Sequence, residues 1–322
     1  MKAARLHEIG GPEKVRLEQV PEPVSEPGET VIALRAAALN HRDVFITRGL
    51  YLNVRLPVTL GADGAGESGG REVIVDPCIG WGNDERTWSR DATILGMPRD
   101  GTFAEYVAVP AANVHPKPAH LSFEEAAALP LAGVTAYRAT FTKAALRPGE
   151  TILITGVGGG VQTFVLLYAK ALGARIVVTS GRDAKLECAK ALGADVAINY
   201  VTTPDWHKAV RAAVGAVDVA IDSAGGESFA KALSLVKPGG RVVTYGATMG
   251  DATIKMFPIF WHQLAIFGTS MGSPSDFAAM LAFVNEHRIK PIVDRVYALD
   301  EIDGAMRRMD EAQQFGKIVL RS

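Results

Sequence analysis

The sequence predicts an α/β protein with two domains: an irregular, mostly antiparallel β domain and a doubly wound parallel sheet. Two observations predict it. The first third of the chain has short β-rich runs broken by Gly and Pro, and from about residue 120 apolar strand-like runs alternate with helical runs. Such alternation is typical of parallel strands joined by crossover helices. We expect residues 1–119, completed by 271–322, to form the first domain and residues 120–270 the second.

In the first domain, alternation of apolar and polar side chains predicts half-buried strands. The runs with this pattern are AARLHEI, VRLEQV and TVIALRAAAL, and GTFAEYVAVP at 101–110 is a further candidate. The segment 21–29, PEPVSEPGE, is a turn-rich connector. The run KIVL near the C-terminus is predicted to be a strand that returns to this domain.

In the second domain, Ser122 and Glu125 predict a capping box at the start of an alanine-rich helical stretch. After it come TILITGV, a β-branched strand, and VQTFVLLYAKALG, an amphipathic helix ended by Gly173. The later runs continue the alternation, with ARIVVTS, DAKLECAKALGA, VDVAIDSAG, FAKALSLVKPGG and RVVTYGA. One more helix, SDFAAMLAFVNEHRI, follows residue 270.

The composition of the chain excludes several classes of protein. The chain has 322 residues, 48% hydrophobic and 21% charged, with a formal net charge of −1, which is typical of a globular protein that binds neither nucleic acid nor a membrane. Two cysteines are too few for a disulfide framework or a cysteine-rich metal cluster. The N-terminus lacks a signal-peptide pattern, and MFPIFWHQLAIFG is too short to span a bilayer, so we expect a cytoplasmic protein.

The stretch TGVGGGVQTF stands between a predicted strand and a predicted helix, the context of a phosphate-binding loop. The loop residues expected to contact phosphate are Gly156, Val157, Gly158, Gly159, Gly160 and Val161. The third glycine of the dinucleotide fingerprint is replaced by Val161 in one register and by Gln162 in the other. That glycine serves helix–strand packing, so its loss leaves a phosphate site intact. The alternative is a plain βα turn.

The end of the next strand predicts which nucleotide is bound. An acidic residue there would bind the ribose hydroxyls of NAD, but this strand ends at Ser180, followed by Arg182 and Lys185. These three side chains can bind a 2′-phosphate, which favours NADP(H). The alternative is a solvated helix start in which Asp183 is a capping acid.

The whole chain resembles the medium-chain dehydrogenases/reductases. The resemblance rests on the order and spacing of LNHRDVFITRGLY, GADGAGE, GTFAEYV, LPLAGVTAYRA, TGVGGGVQ, KALGAD, DSAGG, PGGRVVTYG, FGTSMGS and FGKIVL. It implies a GroES-like catalytic domain made of both chain ends, an inserted Rossmann domain that binds NADP, and an active site in the cleft between them. It also implies a small-molecule substrate and a homodimer.

One apolar group late in the second domain has two interpretations. We expect it in the core or on a dimer surface, although some of its members could line the substrate cleft. The group consists of Met249, Met256, Phe257, Phe260 and Trp261.

The resemblance also implies that no metal is bound. The positions at which zinc-dependent members hold catalytic zinc carry Asn40, Ala62 and Leu131. The structural zinc lobe needs four cysteines, and the segment 78–101 supplies only Cys78, so we expect a metal-free remnant in which Trp81 and Trp88 pack the segment or cover the cleft. These losses indicate the quinone oxidoreductase branch, which resembles this chain in Asn40, Tyr51 and a preference for NADPH.

The resemblance assigns further site residues. It implies catalytic hydrogen bonds from Asn40 and Tyr51, with Asn40 also contacting the cofactor. The remaining cofactor residues that it implies are Thr135, Gly246, Gly268 and Ser270 near the nicotinamide and its ribose, Tyr200 and Lys317 beside the phosphates, and Ser223 and Ala224 under the adenine ribose. Asn40 could instead only cap a helix, and Tyr51 could be a packed loop aromatic.

Three functions follow as hypotheses. The first is an NADPH-dependent, zinc-independent reductase of quinones or α,β-unsaturated carbonyl compounds. The second is an alcohol dehydrogenase with an unusual metal site. The third is a non-catalytic NADPH-binding protein for redox sensing or structure.

Overall fold

The computed structural model describes residues 1–51 and 53–322, which form two compact units. The first unit is Met1–Val134 with Ser273–Ser322, and the second is Thr135–Gly272. The second unit is thus an insertion, as the sequence predicts, but the first boundary falls later than the predicted 119/120. The reason is that the helix Phe123–Ala127 packs on strands of the first unit.

The elements are named in chain order. The strands are β1 (Lys2–Leu6), β2 (Val15–Gln19), β3 (Glu29–Ala38), β4 (Val58–Thr59), β5 (Asp63–Ser68), β6 (Arg71–Val75), β7 (Cys78–Ile79), β8 (Thr93–Ile94), β9 (Tyr106–Pro110), β10 (Val114–Pro116), β11 (Thr151–Ile154), β12 (Arg175–Ser180), β13 (Val196–Asn199), β14 (Val217–Asp222), β15 (Val236–Thr244), β16 (Ala265–Gly268), β17 (Val293–Ala298) and β18 (Lys317–Arg321). The α-helices are α1 (His41–Thr47), α2 (Phe123–Ala127), α3 (Pro130–Tyr137), α4 (Gly160–Leu172), α5 (Asp183–Ala191), α6 (Trp206–Val214), α7 (Gly226–Leu235), α8 (Met256–Trp261), α9 (Pro274–Glu286) and α10 (Ile302–Asp310).

The first unit is built on a mixed sheet in which the strands run in the order β10-β6-β5-β3-β18-β17, with β9 also paired to β3. Its pairs are antiparallel except for β17 with β18. Strand β18, near the C-terminus, pairs with β3, near the N-terminus. This pairing confirms that the C-terminal KIVL run returns to the first domain. Smaller sheets, β2-β1-β4 and β7-β8, complete the unit.

The second unit is a parallel six-stranded sheet in the order β13-β12-β11-β14-β15-β16. The strand order reverses between β11 and β14, so the sheet is doubly wound, as predicted. Every residue of β14 is buried, as expected of a central strand covered on both faces. Helix α4 ends at Gly173, whose left-handed backbone closes it, and the predicted capping box of Ser122 and Glu125 is present at α2.

The segment 78–101 lies in the first unit. Trp81 is buried, its ring lies 6.4 Å from that of Trp88, and its Nε1 donates to the Asp84 carbonyl at 3.0 Å. The hydroxyl of Ser275, at the start of α9, donates to the Glu85 carboxylate. These contacts agree with the expectation that the tryptophans pack the segment. In residues 1–51 and 53–322, no helix is both long and apolar enough to cross a membrane.

Candidate functional site

The predicted cofactor residues of the second unit, other than Thr135, lie at the end of its sheet where the parallel strands terminate. Each of the six strands contributes at or just after its carboxyl end, since parallel strands all end on the same side. The contributions are the glycine loop after β11, Ser180 and Arg182 after β12, Tyr200 after β13, Ser223 and Ala224 after β14, Gly246 after β15, and Gly268 with Ser270 at the end of β16. This end of the sheet contains the switch point between β11 and β14, where open α/β sheets bind ligands.

The glycine loop is anchored to β12 at its start. The Gly156 N–H donates to Thr179 Oγ1 at 3.2 Å, and the Val157 N–H donates to the Thr179 carbonyl at 2.7 Å. Gly159 then occupies the N-cap of α4, a helix of 13 residues. The first N–H groups of such a helix have no intrahelical acceptor and carry the positive end of its dipole. The loop therefore presents backbone donors suited to a phosphate.

The absence of a side chain at Gly158 leaves room for Lys185 beside the loop. The φ of Gly158 is +129°, and a Cβ built there would lie 2.6 Å from Lys185 Cδ and 3.2 Å from Lys185 Nζ. The Lys185 ammonium, from the first turn of α5, therefore lies against the loop. A glycine is required both by the backbone conformation and by the neighbouring lysine. The positive charge adds to the field of the helix N-terminus, which fits the phosphates of a dinucleotide.

Tyr200 lies against the turn that follows β12. Its backbone N–H donates to the Ser180 carbonyl at 3.1 Å, and a Cβ on Gly181 would lie 3.0 Å from its ring and hydroxyl oxygen. Ser180 is buried, whereas Arg182 is exposed at the N-cap of α5. The structure thus brings Tyr200, which follows β13, against the turn after β12 that contains Ser180 and Arg182.

The position of the missing third glycine carries a hydrogen-bonded side chain. Gln162 is buried in the first turn of α4, and its Nε2 donates to Ser223 Oγ at 2.6 Å. The bond links α4 to the turn after β14, across the switch point. A Cβ on Gly246 would lie 2.9 Å from the Ser223 carbonyl, so the turn after β15 also approaches closely. The position of the third glycine therefore holds a side chain that forms a hydrogen bond across the switch point.

Sequence reasoning missed Thr155 and Asp222 below the loop. Thr155 Oγ1 donates to Asp222 Oδ1 at 2.6 Å, and the Gly225 N–H donates to Asp222 Oδ2 at 2.7 Å. Both side chains are buried, so the bonds hold the ends of β11 and β14 together. An acidic residue at the end of the apolar run VDVAID is the signal that could have identified Asp222.

The first unit contains a buried polar cluster that we call the Asn40 cluster, formed by Asn40, Asp63 and Lys317. Lys317 Nζ donates to Asn40 Oδ1 at 2.6 Å and to Asp63 Oδ2 at 2.8 Å, and Asn40 Nδ2 donates to Asp63 Oδ2 at 2.9 Å. Asp63 is 0% exposed and Lys317 2%. Lys317, which the resemblance places beside the cofactor phosphates, is a buried partner of Asp63 in the first unit, because β18 pairs beside β3. Its place beside the phosphates stays a prediction.

The residues at the metal positions do not fit zinc. Ala62 and Leu131 have hydrocarbon side chains, and the Leu131 backbone N–H donates to Asp63 Oδ1 at 2.8 Å. The Asn40 amide oxygen accepts from an ammonium, which a cation would have to displace. Three protein ligands are normal for catalytic zinc. In residues 1–51 and 53–322 no group of three or more His, Cys, Asp or Glu side chains could hold a metal ion.

Asn40 occupies the N-cap of α1, where it forms a capping box with Asp43. Its backbone N–H donates to Asp43 Oδ2 at 2.7 Å. Burial raises the pKa of Asp43 to about 6, although Arg42 and this N–H oppose the rise. Besides this cap, the Asn40 side chain bonds to Asp63 and Lys317.

Tyr51 follows α1 and is half-buried, packed on a cluster that includes Val44. The Arg42 guanidinium lies 5.1 Å from the centroid of its ring, and Arg42 Nη1 donates to the Leu95 carbonyl at 2.6 Å. A cation over an aromatic face is attractive, so Arg42 holds the ring. Helix α1 thus positions both predicted catalytic residues. Thr135, the remaining predicted cofactor residue, is buried in α3.

Comparisons with known proteins agree with this architecture. Residues 26–119 match the alcohol dehydrogenase GroES-like domain family, and residues 156–286 match the zinc-binding dehydrogenase family. A zinc-type alcohol dehydrogenase-like protein, YogA, of Leptosphaeria maculans is 36% identical over 95% of this chain and 94% of its own. The chain belongs to the medium-chain dehydrogenase/reductase superfamily. It is an oxidoreductase, and binding of a nicotinamide cofactor is expected for this superfamily.

Solved structures of this superfamily match both units. An NAD-dependent alcohol dehydrogenase has a TM-score of 0.92 and 38% identity, with 100% of each chain covered. The quinone oxidoreductase of Thermus thermophilus, also determined with NADPH, has a TM-score of 0.83 and 31% identity, again with 100% of each chain covered. These neighbours differ in cofactor and substrate, so the fold alone does not select between their activities.

Proposed function

We propose that this medium-chain dehydrogenase/reductase is an NADPH-dependent, zinc-independent reductase that transfers hydride to quinones or α,β-unsaturated carbonyl compounds. The observation that carries the proposal is the Asn40 cluster. The position of the first zinc ligand holds an amide whose oxygen already accepts from Lys317, and the other two positions offer no ligand atom. A substrate that needs strong polarisation by a metal is therefore disfavoured.

Conjugated acceptors suit the groups that are present. As hydride adds to a quinone or an enone, the negative charge that develops is delocalised and ends on oxygen. Hydrogen-bond donors such as the Asn40 amide and the Tyr51 hydroxyl can stabilise that charge without a metal. Bound NADPH would supply the hydride, and the protein groups would hold and orient the acceptor.

The preference for NADPH is supported by the turn after β12. Ser180 is neutral and stands where an acidic residue would bind the NAD ribose, and Arg182 is exposed two residues later. The ring of Tyr200 lies on the intervening Gly181. A guanidinium and hydroxyls can bind a 2′-phosphate, and no acidic side chain at position 180 would repel it.

The alternative is an alcohol dehydrogenase with an unusual metal site. It is favoured by the names of several relatives and by the match to an NAD-dependent alcohol dehydrogenase. It requires a metal bound by other groups than those at positions 40, 62 and 131.

A cofactor-oxidation screen and a metal analysis separate these functions. We expect the purified protein to contain less than about 0.1 zinc per chain and to oxidise NADPH with quinones, enones or enals, with activity unchanged by a chelator, because the Asn40 cluster leaves no zinc ligand set. Stoichiometric zinc, or alcohol oxidation that a chelator abolishes, would support the alternative. NADPH binding without turnover on the whole panel would favour a non-catalytic role.

We further propose a homodimer formed through the second unit. Large apolar side chains there are exposed, namely Met249, Met256, Phe257, Phe260, Trp261 and Ile266. The rings of Phe257 and Trp261 are stacked 5.5 Å apart on α8. Strand β16, which carries Ile266, is the sheet edge, and its outer backbone groups are available to another strand. A second copy of the chain would cover both features.

Charge on this apolar surface should break the dimer. We expect Trp261→Glu to weaken self-association on the order of 100-fold, because a central aromatic contact is replaced by a carboxylate that must be desolvated. Sedimentation velocity across a concentration series measures it. Val24→Glu, at an exposed apolar position of the first unit, is the matched control and should leave association unchanged. A monomeric wild-type protein at all concentrations would contradict the proposal.

A further inference from the structure

The amide of Asn40 is held from two sides by opposite charges. Lys317 Nζ donates to its Oδ1 at 2.6 Å, and its Nδ2 donates to Asp63 Oδ2 at 2.9 Å. An ammonium has only donors, and an ionised carboxylate has only acceptors. A flipped amide would place its NH₂ against the ammonium and its oxygen against the carboxylate. The two charges therefore allow a single orientation of Asn40.

Both charged partners of Asn40 form further hydrogen bonds within the protein. Lys317 Nζ also donates to the Leu39 carbonyl at 2.7 Å, so its three N–H donors are all used. Asp63 Oδ1 accepts from the Leu131 N–H at 2.8 Å. Both side chains are almost fully buried. Lys317 is thus a fixed internal cation, neutralised by Asp63 and directed at the oxygen of Asn40.

One N–H of the Asn40 side chain forms no hydrogen bond within the cluster. The amide nitrogen of Asn40 carries two hydrogens. Its bond to Asp63 uses one of them, and the second has no acceptor in the part of the chain that the structure describes. Donation from Lys317 into the amide oxygen withdraws electron density from the nitrogen, which strengthens that remaining N–H as a donor.

We propose that Lys317 and Asp63 are positioning residues, which fix and polarise the Asn40 amide so that its second N–H donates to the carbonyl oxygen of the substrate. This inference rests on the proposed function, in which Asn40 stabilises a developing oxyanion. It assigns to Lys317 an effect on turnover through Asn40 and no contact with the cofactor. The Lys317 ammonium thus lies beside Asn40, at the first of the zinc positions, and is itself almost fully buried.

A double-mutant cycle tests the coupling. We expect Lys317→Met to lower kcat about 10- to 100-fold in the wild-type background and less than about 3-fold in the Asn40→Ala background, since the lysine acts only through the amide. The Kd for NADPH, followed by its fluorescence, should change less than about 2-fold. Losses of kcat that multiply in the double variant, or a clear rise in the Kd for NADPH, would overturn the proposal.

Controls separate positioning from folding. Lys290→Met removes an exposed lysine of the same unit and should leave kcat unchanged. If Lys317→Met does not fold, Asp63→Asn replaces the second partner with little change of shape, and the same non-additivity with Asn40→Ala is expected. Circular dichroism and the thermal midpoint of each variant identify those that are folded.

A spectroscopic measurement needs no turnover. In a ¹⁵N-labelled protein the side-chain NH₂ of Asn40 should exchange with water at least about 10-fold more slowly than that of the exposed Asn285, because both of its ends are held. Exchange as fast as at Asn285 would overturn the proposal even if no substrate is found. If instead the wild type reduces no acceptor while Asn40 is protected, the proposed function fails and the fixed orientation stands.

Discussion

Replacing Tyr51 with Phe is expected to lower kcat about 100-fold, because removal of one hydrogen-bond donor to a developing oxyanion costs ~10²–10³ in turnover. The phenyl ring keeps the packing on the first-unit core and the contact with the Arg42 guanidinium, which lies 5.1 Å from the ring centroid. The change therefore removes only the hydroxyl. Steady-state kinetics with the best acceptor from the screen measure kcat and KM, and a fluorescence titration measures the Kd for NADPH.

A matched change controls for the loss of a phenol. Tyr106 lies in β9 and is half-buried in the same unit, so Tyr106→Phe should leave kcat within about 2-fold. The Kd for NADPH should stay near that of the wild type in both variants. Unaltered turnover of Tyr51→Phe on the physiological acceptor would remove Tyr51 from the mechanism and leave it as a packed aromatic.

Replacing Arg182 with Ala is expected to raise the Kd for NADPH about 10- to 100-fold and that for NADH less than about 3-fold. A charge-assisted hydrogen bond to phosphate contributes roughly 1.5–3 kcal/mol, and each 1.4 kcal/mol is about tenfold in affinity. Only NADPH has the 2′-phosphate, so the loss should be selective. Titration of both cofactors by fluorescence or calorimetry gives the two constants.

Lys190 provides the control for this charge. It lies on the same helix, α5, where it is half-exposed and pairs with Glu187, so Lys190→Ala removes a positive charge at a distance from the turn after β12. We expect it to change neither constant by more than about 2-fold. If Arg182→Ala raised the Kd for NADPH and the Kd for NADH by the same factor, a role for Arg182 at the 2′-phosphate would be refuted.

The second unit could be predicted closely from the sequence because its signals are local. A β-branched run, a glycine turn and an amphipathic helix occur in order, and the structure has β11, the loop and α4 at those residues. The rule that parallel strands end on one side then groups Ser180, Tyr200 and Ser223, which lie far apart in the chain. Alternation likewise predicted β1, β2, β3 and β9, because a half-buried strand must alternate.

The Asn40 cluster could not be predicted in this way. Resemblance implied only a place for Lys317 beside the cofactor phosphates, and its bond to Asp63 in the first unit was not foreseen. The pairing of β18 with β3 causes this, because it places residues from opposite ends of the chain side by side. A lysine that opens an apolar run and an aspartate within a glycine- and alanine-rich strand were the available signals, but neither identifies its partner.

The sequence by itself determined the two-domain α/β architecture, the glycine loop and the Ser180 and Arg182 turn. These follow from residue type and short-range periodicity, which act within a few turns of chain. The family resemblance added that positions 40, 62 and 131 are those of zinc ligands, and the residues there are Asn, Ala and Leu. Only the tertiary structure decided where Lys317 binds, which way the Asn40 amide points, and how Gln162 meets Ser223. Each of these depends on contacts between residues distant in sequence, where packing and the pairing of buried charges select one arrangement.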